Sequence, residues 1–134
     1  MLKGIRAILI AVLLASHINL YAQAVNQIVP APVSFVAEAG KGFVLDNETV
    51  IYFSSQFDRQ AIYLQEQIKA QLGFAPKLNL LIKREVLPNA AIVLEGGQAN
   101  IDRPEMYTLV VNEQRLHIKA NDVRGVVNAI QTLL

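Results

Sequence analysis

Residues 106–134, MYTLVVNEQRLHIKANDVRGVVNAIQTLL, decide how the rest of the chain is read. Tyr107, Leu109 and Val111 alternate with Met106, Thr108 and Val110, the period of two that a pleated strand requires. After the polar connection 112–115, Leu116, Ile118 and Ala120 resume the alternation, with His117 and Lys119 facing the other way. Two such strands joined by a short turn predict an antiparallel hairpin. The period then changes. Asn121 or Asp122 is placed to accept hydrogen bonds from the free N–H groups of a first helical turn, and Val123, Val126, Val127, Ile130, Leu133 and Leu134 recur at the three- and four-residue spacings of one helix face. That face has to be buried. The closing Thr132-Leu133-Leu134 offers no Gly, no cation and no Pro to stop a helix, so the expectation is a chain cut inside or at the end of its last helix.

Working back from this segment, residues 90–94 (AAIVL) form a short apolar run bounded by Gly96-Gly97 and read as a buried strand, followed by a loop to Pro104. Residues 78–82 read as a strand or an extended linker, closed by Pro88. The clearest helix precedes them. Ser54-Ser55 is the expected cap, Phe57, Ala61, Leu64, Ile68 and Leu72 form one stripe, and Asp58 lies in the first turn, where the helix dipole favours an anion. Gly73 and Pro76 end the run, and the opposite face, with Arg59, Gln60, Gln67, Lys69 and Gln71, reads as solvated. Residues 49–53 (TVIYF) are apolar on both sides of the pleat apart from Thr49, as a strand covered on both faces would be. Residues 33–37 and 43–45 read as short strands flanking the turn Gly40-Lys41-Gly42, and Pro30 and Pro32 hold the segment before them extended. The expected fold is α+β, a mostly antiparallel sheet with both helices packed on one face.

Residues 1–24 read as a cleavable secretory signal peptide. Lys3 and Arg6 supply the positive start, residues 7–15 (AILIAVLLA) the apolar stretch, and Ala22-Gln23-Ala24 the small residues at which cleavage after Ala22 or Ala24 is expected. The apolar run is well short of the ~20 residues of a spanning helix, and Ser16, His17 and Asn19 follow it. The expected destination is a bacterial periplasm or the exterior, with no membrane attachment after cleavage. The remainder, 25–134, is long enough for one domain. It carries 10 basic and 11 acidic side chains, a net charge of −1 without basic clusters, which gives no support to a nucleic-acid partner. With no Cys there is no disulfide framework and no thiolate chemistry.

Residues that could carry chemistry are few. His117 is the one histidine after residue 24, and it has no His-Glu-x-x-His partner with which to hold zinc, so a surface role is expected. Glu95 beside Gly96-Gly97 reads as the turn after a buried strand, since no phosphate-loop Lys follows. Lys83-Arg84-Glu85 reads as a mixed-charge surface run, and Ser54-Ser55 has no nucleophile-elbow pattern around it. Asn47-Glu48-Thr49 fits a glycosylation acceptor, a common tripeptide that a bacterial chain leaves unmodified.

Three stretches together resemble a known family. Tyr107-x-Leu109-x-Val111 followed by Leu116-x-Ile118-x-Ala120, then Gly125 and Ala129-Ile130-Gln131-Thr132-Leu133, with Pro30-x-Pro32 at the start, is similar to the N-terminal domain of family-20 glycoside hydrolases, the β-N-acetylhexosaminidases. The resemblance covers residues 27–134. In that family the Gln-Thr-Leu leads into a catalytic (β/α)8 barrel, which is not in this sequence. An adjacent Asp-Glu pair, the Asp orienting the substrate acetamide and the Glu acting as general acid, performs the family's substrate-assisted hydrolysis. Neither Asp-Glu nor His-x-Gly-Gly-Asp-Glu occurs here, and Gly96-Gly97 is followed by Gln98-Ala99. The resemblance therefore implies no catalytic, cofactor-binding or metal-binding residue in this chain. It implies an accessory role beside a barrel of the same polypeptide, which would remove terminal N-acetylhexosamine from glycans through an oxazolinium intermediate, without metal or organic cofactor. The other reading is a free-standing secreted domain that binds a glycan or a protein, for which no Trp and few Tyr give little stacking surface. In both, the expected contact surface is the apolar helix face including Val126, Ile130 and Leu133.

Overall fold

A computed structural model describes Ser34, Val36 and residues 40–82, 86–97 and 103–134. The chain divides into two units, Met1–Phe35 and Val36–Leu134, and the elements below belong to the second. The signal peptide over 1–24, Lys83-Arg84-Glu85, the start of the loop after Gly97 and most of the strand expected over 33–37 lie outside the described residues; Ser34 and Val36 are exposed and in no strand. The elements run β1 (Val50–Phe53), a 3-10 turn (Ser55–Phe57), α1 (Asp58–Leu72), β2 (Lys77–Leu80), β3 (Ala91–Gly96), β4 (Tyr107–Val111), β5 (Arg115–Ala120) and α2 (Val123–Leu133).

The five strands form one sheet in the order β2-β1-β3-β5-β4. β1 runs parallel to β2 and to β3, and β3 runs parallel to β5; only β4 and β5 are antiparallel. The class is α+β as expected, but the sheet is mostly parallel, which corrects the antiparallel expectation. The cause lies in the connections. A parallel pair needs a long crossover, and α1 supplies it between β1 and β2. β4 reverses the chain between β3 and β5, so those two neighbours also point the same way.

One core lies between the sheet and both helices. Ile51, Ile92, Leu94, Leu116, Ile118 and Ala120 pack with Ala61, Leu64 and Ile68 of α1 and Val126, Ala129 and Ile130 of α2. On the reverse side Tyr52, Ala91 and Val93 form a smaller cluster with Val50, Leu81 and Leu87. This second cluster explains why β1 and β3 read as unbroken apolar runs: central parallel strands are covered on both faces. Residues 43–45 form no strand; Phe43 and Leu45 instead pack their side chains against the core.

The helices begin and end differently. The 3-10 turn separates Ser54 from α1, and its side chain makes no cap; Ser54 Oγ accepts a hydrogen bond from Gly96 N at 2.9 Å, joining β1 to the end of β3. The expected stripe is buried at Phe57, Ala61, Leu64 and Ile68, but Leu72 is 54% exposed. Gly73 adopts φ 81 and donates its N–H to Lys69 O, the left-handed stop that glycine makes readily. The hairpin of β4 and β5 forms as expected, with Asn112 Oδ1 accepting from both Gln114 N and Arg115 N at 2.9 Å and Arg115 already in β5. Asp122 then caps α2 by accepting from Arg124 N.

α2 buries only part of the face its apolar pattern predicted, Val126 and Ile130 with Leu133 packed beside them. Gly125, Val126, Ala129 and Ile130 are buried, whereas Val123 and Val127 are partly exposed. Gly125 is the reason the helix can approach, because a Cβ there would collide with the Met106 carbonyl oxygen. Near the other end, the Tyr107 hydroxyl lies 2.6 Å from Thr132 Oγ, which itself donates to Asn128 O. The hairpin thus grips α2 at both ends.

Candidate functional site

In a sheet with parallel strands, ligands commonly sit beyond the strands' C-terminal ends where the strand order reverses. Here that place lies between β1 and β3, whose successors β2 and β4 are on opposite sides. It is occupied by the chain itself. Ser54 N donates to Leu94 O, Ser54 Oγ receives Gly96 N, Gly97 N donates to Ala120 O, and the Gln56 side chain covers Gly96 so closely that a Cβ there would overlap it. Ser54 is accordingly a tie between strands, and nothing among its hydrogen bonds prepares it as a nucleophile.

The sheet face away from the helices carries the charged residues. Register places Val93 beside His117 and Glu95 beside Lys119. Glu95 Oε2 is 2.8 Å from His117 Nε2 and 3.6 Å from Lys119 Nζ, and each of the three side chains is about one-third exposed. His117 Nε2 makes no directed hydrogen bond to Glu95, close as the two are. The expected lone surface histidine therefore has a partner that sequence reasoning missed. The signal was the matched alternation of 91–95 and 115–119, which becomes a pair only once β3 and β5 are known to be neighbours. Among the described residues no three side chains of the metal-ligating types converge. A carboxylate shared by a histidine and a lysine in water-accessible positions is a modest stabilising network.

Asn47-Glu48-Thr49 belongs to a turn. Thr49 is fully buried, and its hydroxyl accepts from Asp46 N and donates to Asp46 Oδ1, which fixes the entry to β1. At the surface end of α2, the Arg124 side-chain hydrogen bond holds the Asp122 carboxyl below its ordinary value, and the same contact raises Arg124.

What remains is apolar. Val123, Val127 and Leu134 lie 37–44% exposed along one stripe of α2, and Ile62 and Leu72 of α1 are 46% and 54% exposed. Gln131 Nε2 donates to Tyr63 OH and ties the two helices together. Where the helices' C-terminal ends meet the sheet, Phe43, Leu45, Leu72, Val111, Leu133 and Leu134 line a groove of about 280 Å³. The expected contact surface is corrected here: Val126 and Ile130 are core, Leu133 is half-buried in the groove wall, and the accessible residues are Val123, Val127 and Leu134. No helix among the described residues is long and apolar enough to cross a membrane.

Comparison with known proteins agrees with this architecture. The family model for glycosyl hydrolase family 20, domain 2, matches residues 25–134. No curated protein sequence matches. Among solved structures, the GH20 beta-N-acetylhexosaminidase from Streptomyces coelicolor A3(2) is similar, with 21% identity and a TM-score of 0.62 over 79% of this chain and 20% of that one. The likeness concerns the fold, and the chain spans about a fifth of that protein's length.

Proposed function

The chain belongs to glycosyl hydrolase family 20 as its domain 2, and from this we propose that it is the accessory domain of an exported β-N-acetylhexosaminidase, packing its helix layer against the catalytic (β/α)8 barrel. The barrel, and not this domain, would remove terminal N-acetylhexosamine from glycans. The observation that carries the reading is the apolar stripe Val123, Val127 and Leu134, left uncovered on the helix layer. Burying an aliphatic side chain fully contributes ~1.5–3 kcal/mol, and these are already about half covered, so docking them would add on the order of 1 kcal/mol each.

The test uses the domain in one polypeptide with a family-20 barrel. Val127→Asp should lower the thermal midpoint of hydrolase activity and leave the specific activity at low temperature close to the parent's. An unchanged midpoint would sink the docking. Residues 25–134 alone should release no N-acetylglucosamine from chito-oligosaccharides; measurable release would overturn the accessory reading. Export has its own test, in which residues 1–24 fused to a reporter should carry it out of the cytoplasm and be removed after Ala22 or Ala24.

The glycan-binding form of the free-standing alternative gains no support from the described surface. Among the described residues the most exposed large apolar side chains are aliphatic or Met106, whereas glycan platforms present aromatic faces.

A further inference from the structure

No further inference is drawn: the strongest candidate, the apolar groove of about 280 Å³ where the C-terminal ends of the two helices meet the sheet, carries nothing beyond the docking already proposed, because nothing in the structure shows what covers it.

Discussion

α1 and α2 lie side by side on the same sheet face, yet they treat their apolar residues differently. α1 spends most of its stripe on the core, with Ala61, Leu64 and Ile68 buried, Arg59, Glu66, Lys69 and Gln71 outside, and Ile62 and Leu72 as its exposed apolar residues at separate positions. α2 has a wider apolar arc than the sheet can cover. Its centre, Gly125, Val126, Ala129 and Ile130, is buried, and one shoulder, Val123, Val127 and Leu134, is not. A helix whose apolar stripe is mostly as wide as its core leaves only scattered residues outside. One with a surplus shoulder has surface to offer a second body.

The sharpest way to break this comparison is to truncate the two sides of α2 in turn. Ile130→Ala should cost ~2–5 kcal/mol by leaving a cavity, while Val127→Ala should cost under about 1 kcal/mol, both read by urea denaturation of the isolated domain. Equal losses would mean that the arc is not divided as described. Gly125→Ala comes next, and its sign is informative. Helix propensity alone favours Ala by ~1 kcal/mol, but the collision with the Met106 carbonyl should reverse this and destabilise by ~1–3 kcal/mol. A gain in stability would show that α2 is held farther from the hairpin.

At the end of α1, Gly73→Ala should cost ~1 kcal/mol, because the left-handed φ of 81 strains any residue with a Cβ. The smallest effect belongs to the cap of α2. Arg124 holds the Asp122 carboxyl below its ordinary 3.8 in the folded state, so its contribution is complete above that value and is lost as pH falls through the lower folded one. Asp122→Ala should therefore be slightly less stable than the parent near neutral pH, with the two melting curves converging in acid. A gap that persists at the lowest pH would assign the loss to something other than the carboxylate.

Several features of the molecule are legible without coordinates because their causes are local. The hairpin of Tyr107–Val111 with Arg115–Ala120 follows from alternation around a polar turn, and the end of α1 follows from Gly73. The buried run in Ala91–Gly96 follows from an apolar stretch too short for a helix. Ser54 was misread for an equally physical reason. A serine ahead of an apolar-periodic run is the usual cap, but here a 3-10 turn intervenes and the hydroxyl is held by Gly96, 42 residues away. Nothing near Ser54 in the chain announces that partner. The same holds for His117, whose neighbour Glu95 comes from a strand two elements earlier.

By itself, then, the sequence determined the strand and helix periods, the glycine stop, a cap for α2 at Asn121 or Asp122, the lack of an Asp-Glu pair and the segments that resemble one glycosidase family. Each depends on residues within a few positions of one another, over which backbone geometry dictates spacing. Tertiary structure alone decided that β1, β3 and β5 run parallel, that Ser54 ties two strands, and which part of the α2 arc faces inward. These are choices among long-range contacts. They are settled by which apolar surfaces can be covered at once, and by whether a backbone can come as close as Gly125 allows.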